Sequence, residues 1–285
     1  MNAFKTALLL GGLSMVLVIA GGAIGGQAGL QIALGLAVVM NGISYFFSDK
    51  IALSMSGAQP VTRQQAPRLY AITERLCQRA NLPLPKLYVI PQAAPNAFAT
   101  GRNPSHAAVA VTAGLLELMN EQEVEGVIAH ELAHVKNYDI LTASVAATIA
   151  AAITTLAQMG QFAMIFGGGH RRDDEEGQGG NPIGALMMIF LAPLAAVILQ
   201  MWISRTREFS ADATAARMVG HPHGLINALE KLGYANQRMP MDVAPAAAPL
   251  FIVAPFGGGG IMKLFSTHPP LEERIAALRN LNVTP

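Results

Sequence analysis

Polar and apolar positions separate along this chain into long blocks. Residues 7–26 (ALLLGGLSMVLVIAGGAIGG) hold no charged side chain, and about 20 apolar residues suffice to cross a bilayer as a helix. A second apolar run, 28–47, follows almost at once and closes on Tyr45, Phe46 and Phe47, aromatic residues of the kind that gather at a membrane interface. Together the runs predict a helical hairpin. Gly21 with Gly25, and Gly22 with Gly26, have the spacing that lets helices pack closely. The first run outlasts the short apolar core of a cleaved signal peptide, which argues for an anchor. Residues 141–165 and 183–203 are apolar again, around a Gly-rich loop at 166–182. They predict a second membrane hairpin, with Pro193 kinking its return helix.

The intervening stretches are mixed in polarity. Within 48–140, Pro67–Ala80 predicts a soluble helix with Pro in its first turn. Lys86–Ile90, Asn96–Thr100 and Ala107–Thr112 predict three short strands, the last two joined by a turn at Gly101–Pro104. Glu121–Asn137 predicts a helix with acids near its start and Lys136 near its end, as the helix dipole prefers. Within 204–285, a helix is expected around Arg205, another over Leu225–Leu232 stopping before Gly233, and a last one over Pro269–Arg279, with 240–260 as loop. The organisation expected is therefore a hairpin (1–47), a polar segment with a small β-sheet (48–140), a second hairpin (141–203) and a second polar segment (204–285). The fold class is mainly α, a multi-helix membrane protein whose polar segments carry a small β-sheet.

Composition agrees. Of 285 residues, 52% are hydrophobic and only 13% charged, where a soluble domain has about 25% charged. A net charge of +1 gives no reason to expect a nucleic-acid partner. The single cysteine, Cys77, allows neither an internal disulfide nor a cysteine metal cluster, so any metal must be held by His and carboxylates. With two hairpins, every Lys and Arg except Arg171 and Arg172 falls on one side of the bilayer. The excess of positive charge makes that side cytoplasmic.

The chemistry is concentrated in His130-Glu131-Leu132-Ala133-His134. On a helix, residues four apart share a face, so two imidazoles at this spacing can hold one Zn²⁺. Glu131, about 100° round the helix, can reach a water on that metal as a base. Three fixed positions also recur by chance as surface residues, but the surrounding apolar stripe places these on a helix. A third ligand is then needed. Glu208 is the best-placed carboxylate, just past the last apolar run, and Asp212 one turn on can accept the free N–H of a ligand histidine. Alone, both would read as surface acids balancing Arg205, Arg207 and Arg217. The small sheet beside this helix offers an edge on which an extended peptide can pair, or is a plain structural hairpin.

Four segments in order, APNAFATGRNP (94–104), HELAHVKNYDIL (130–141), EFSAD (208–212) and STHPPLEERI (266–275), resemble the HtpX-type membrane zinc endopeptidases, relatives of the proteases that process prenylated CaaX proteins. The resemblance covers nearly the whole chain. It implies a gluzincin-like domain with one Zn²⁺ per chain, His130, His134 and Glu208 as ligands, and Glu131 as base. It also implies protein or peptide substrates, with a role in membrane-protein quality control under stress in the bacterial inner membrane. His268 and Arg274 match a His-Pro-x-x-x-x-Arg pattern near the metal in the prenyl-protease relatives. His268 is thus a candidate donor to the transition-state oxyanion, oriented by Arg274. The alternatives are a CaaX-type processing protease and a membrane scaffold that does not cleave.

Overall fold

A computed structural model describes residues 2–141, 143, 207–239, 250–253 and 269–283. The second hairpin expected over 141–203, most of the 240–260 loop and His268 lie outside the described residues. The chain begins with α1 (Asn2–Met55), helical throughout yet folded back on itself. Asn41 Nδ2 donates to Ser14 Oγ at 2.8 Å, whereas 27 residues of straight helix would separate them by about 40 Å. The reversal falls at Gly26, whose φ of 58° is left-handed backbone that glycine tolerates best. The two arms touch through small residues: a Cβ on Gly21 would collide with Ala33 and with the Gly29 carbonyl. Gly26–Ile43 is apolar and long enough to cross a membrane, and almost none of it is buried within the protein. Beyond it α1 continues unbroken into Ser48, Ala52 and Leu53, which are buried.

Those residues meet a four-stranded mixed sheet. Its strands are β1 (Gln59–Pro60), β2 (Lys86–Ile90), β3 (Ala97–Gly101) and β4 (Ala107–Thr112), in the order β1-β2-β4-β3. β2 runs parallel to β4, while β3 lies antiparallel at the edge. Alternation along β4 sends Ala107, Val109 and Val111 to one face and Ala108 and Ala110 to the other. Both faces are covered, which is why β4 is an unbroken apolar run rather than an alternating one. The end of α1 packs on one face through Ala52 and Leu53, with Phe98, Leu250 and Phe251. The helices α2 (Pro67–Ala80), α4 (Glu121–Lys136) and α6 (His223–Arg238) share the main core on the other. A short α3 (Ala113–Leu118), α5 (residues 207–219) and α7 (Leu271–Arg279) complete the described helices.

Each helix has local causes. α2 turns Leu69, Ile72, Leu76 and Cys77 inward at helical spacing and ends at Asn81, where φ is 54°. α4 is started by a capping box: the Asn120 side chain accepts from Glu123 N–H and the Glu123 side chain accepts from Asn120 N–H. The buried Glu123 carboxylate also takes a hydrogen bond from Lys231 of α6 at 2.7 Å, tying the two helices together. The expected stop before Gly233 is corrected, since α6 runs through it to Arg238. A Cβ at Gly233 would lie 2.8 Å from Leu271 Cδ1 of α7, so this glycine makes room for a neighbouring helix rather than ending its own.

α4 and α6 approach closely at Gly126, where a Cβ would lie 2.5 Å from Leu225 N and 2.8 Å from Leu225 Cα. Alanine gains about 1 kcal/mol of helix propensity over glycine, but overpacking against backbone costs about 1–3 kcal/mol. Gly126→Ala is therefore expected to lower stability in denaturant unfolding of the purified protein. An unchanged or raised midpoint would show that the helices do not meet this closely.

Candidate metal centre

α4 carries His130 and Glu131 into the interior, with 0% and 2% of their surface exposed. His134 follows one turn on at the rim. α5 crosses them and presents Glu208 and Asp212, both buried. Single ligand atoms of His130, His134 and Glu208 lie within 4.8 Å of one another. His130 Nε2 and His134 Nε2 are 3.1 Å apart, and each is 3.5 Å from a different Glu208 oxygen. Ligands about 2.0–2.1 Å from a tetrahedral Zn²⁺ stand about 3.3 Å from each other. The donor set is therefore of the kind and close to the size that a small tetrahedral cation takes.

The outward nitrogens of both imidazoles are held. His130 Nδ1 is 2.9 Å from Asp212 Oδ1, and His134 Nδ1 is 3.2 Å from Asp139 Oδ2. A carboxylate behind an imidazole fixes the tautomer that turns its other nitrogen to a metal. Asp139, five residues past His134, was not picked out from the sequence. Only the structure brings it beside His134: the chain leaves α4 through Tyr138, with φ of 60°, and this turn swings the next residue back to the helix.

Arg274 closes the cluster from α7 with no exposed surface. It donates to both Asp212 oxygens at 2.7 and 2.8 Å, pairs with Glu208 Oε2 at 3.1 Å and donates to Ile252 O at 2.9 Å. The sequence linked Arg274 to His268, but what the structure brings against it is the set Asp212, Glu208 and His130. It lies behind His130 and Glu208 rather than along the cleft. The cleft is lined by Ala99 of the sheet edge, Glu131, Arg207, Phe251 and the ligand trio, with Ile140 and Leu250 among its apolar walls. One Glu131 oxygen, Oε1, is buried with no hydrogen-bond partner among the described residues.

The metal-free electrostatics follow. Burial opposes charging His130, but hydrogen bonds to Asp212 and Glu208 outweigh it and raise the pKa. Burial likewise opposes His134, yet its bonds to Asp139 and Glu208 push it up to about 10. The Glu131 carboxyl is pushed up, chiefly by burial, with both histidines and Arg274 pulling the other way. Asp212 is held low because Arg274 overcomes the cost of its burial.

The description "Peptidase family M48" matches residues 63–282. A protein of Desulforapulum autotrophicum named "Protease HtpX homolog" is 53% identical over 98% of this chain and 90% of its own length. One of Desulfatibacillum aliphaticivorans with the same name is 55% identical over 97% of this chain and 89% of its own. The fold is similar to the crystal structure of S. mikatae Ste24p, with a TM-score of 0.55 and 23% identity, covering 97% of this chain and 65% of that one. With the family's description matching most of the chain and the metal-fitting cluster lying inside the matched stretch, the chain belongs to peptidase family M48 and is a metallopeptidase.

Proposed function

We propose that this protein is a membrane-bound zinc endopeptidase of the bacterial inner membrane. In this reading the active site faces the cytoplasm and removes damaged or misfolded membrane proteins under stress. The observation that carries the catalytic part is the convergence of His130, His134 and Glu208 within 4.8 Å, with Glu131 in the same cleft. The part concerning location rests on the long apolar arm of α1, the Lys/Arg distribution and the named relatives.

In this reading His130, His134 and Glu208 hold one Zn²⁺, which when bound acidifies a water and polarises the scissile carbonyl. Glu131 accepts the proton of the attacking water and delivers it to the leaving amine. Its burial suits a base, because desolvation raises a carboxylate toward the working pH. Asp212 and Asp139 orient the ligand imidazoles. Arg274 is a positioning residue: it neutralises Asp212 and Glu208, which would otherwise repel each other inside the protein. His268 remains the candidate oxyanion donor. The substrate pairs with β3. Asn96 bonds Thr112 across the ladder, so alternation turns the N–H and C=O of Ala97 and Ala99 outward. Ile252 N–H already takes Ala97 O at 2.9 Å, leaving Ala99, on the cleft wall, to bind an extended peptide.

Glu131→Gln should keep Zn²⁺ near one per chain while turnover on a casein-like substrate falls at least about 100-fold, the general-base contribution; near wild-type turnover by the metal-loaded variant would remove Glu131 as base. Glu208→Ala should lose the metal, and Asp212→Ala or Asp139→Ala should lower affinity or activity about 10–100-fold. Retention of full zinc by Glu208→Ala, with loss in Glu230→Ala or Asp212→Ala, would mean another carboxylate is the ligand. Loading must also displace protons from the raised imidazoles, so zinc affinity should rise with pH between about 6 and 8, with protons released. The measurement is zinc titration in weak buffer with an indicator dye, and a pH-independent affinity without release would contradict the ligand set.

A further inference from the structure

Tyr45, Phe46 and Phe47 are 40%, 57% and 46% exposed, immediately after the apolar stretch Gly26–Ile43. Two cations lie over these rings: Lys50 Nζ is 5.2 Å from the Phe47 centroid and the Arg102 guanidinium 6.0 Å from that of Phe46. Aromatic rings with cations at the end of an apolar helix mark the headgroup level of a bilayer. Lys50 belongs to α1 itself, but Arg102 belongs to the turn after β3. The catalytic unit is therefore fastened at the interface rather than tethered above it.

Two rulers then measure the height of the cleft. Along β3, Ala99 on the cleft wall and Arg102 at the aromatic cluster are three residues apart, at most about 10 Å of extended chain. Along α1, Phe47 and Leu53 are six residues apart, about 9 Å of helix. Leu53 shares its apolar cluster with Leu250 and Phe251, which line the cleft. Adding the reach of the Arg102 side chain, the cleft wall stands within about 20 Å of the interface, a span that about six extended residues cover. Ala143, the third residue of the apolar run 141–165, is also part of the cleft lining.

We propose that the substrates are juxtamembrane segments: extended stretches of membrane proteins cut about six to ten residues from where they leave the bilayer. This rests on the endopeptidase reading above and adds to it which bonds are presented. A segment anchored in the same bilayer is delivered to the cleft at an effective concentration that falls as about the −3/2 power of the connecting length. A bond about 8 residues from the boundary is then favoured about tenfold over the same bond at about 40.

The test uses the full-length, zinc-loaded protein in phosphatidylethanolamine–phosphatidylglycerol vesicles. The substrates are single-span fusions carrying one cleavable sequence at increasing distances from the span, with the same sequence as a free peptide alongside. Cutting near the span about tenfold faster than at the far position, with free peptide slowest, is expected. Phe46→Ala with Phe47→Ala should erode that advantage while leaving free-peptide cleavage unchanged. Free peptide and distant sites cut well, with near sites resistant or no faster, would overturn the juxtamembrane proposal and leave the endopeptidase reading standing. No zinc-dependent cleavage of any substrate would overturn both.

Discussion

Much of this structure depends on one buried charge cluster. Arg274 grips Asp212 with two hydrogen bonds and pairs with Glu208, while Asp212 and Asp139 hold the two imidazoles. Each ion taken from water costs several kcal/mol unless its partners are well placed. The cluster therefore exists only where α4, α5 and α7 are packed together. The arrangement works in reverse as well: its ion pairs fix how these helices meet. Arg274 also holds the Ile252 carbonyl, and Ile252 N–H bonds Ala97 O at the β3 edge, so one side chain ties this segment to Asp212 and Glu208.

The apolar packing explains why the cluster can be so precise. α4 lies between the sheet and α6, with Gly126 and Gly224 allowing backbones to touch and Val127, Ile128 and Leu132 fully buried. Its start is fastened by the Asn120–Glu123 box and by Lys231. A helix fixed at its start and along its length delivers two histidines one turn apart with little freedom to drift. That preorganisation is what a metal site at bonding distances requires.

The same economy links chemistry to membrane. α1 is at once an apolar arm, an exposed aromatic cluster and a cover for one face of the sheet. Because it is helical throughout these roles, residue count along α1 sets the distance between the aromatic cluster and the sheet.

Local pattern determined much of this. The bounds of α2, β2 and β4 match the expected ones, and α4 differs by a single residue, because Pro at a first turn, short apolar runs between turns and graded charge are local signals. His130, Glu131 and His134 were legible for the same reason, since their chemistry needs only one turn of helix. Glu208 and Asp212 were expected beside His130, more than seventy residues upstream, only because a metal site needs a further carboxylate, and no local spacing joins them. Only the crossing of α4 and α5 brought them together. Asp139 was hidden by the left-handed turn at Tyr138, Gly233 by the approach of α7, and the contacts of Arg274 with Asp212, Glu208 and Ile252 by separate elements meeting. These are contacts between segments distant along the chain, whose geometry depends on how whole elements pack, and no local spacing encodes that.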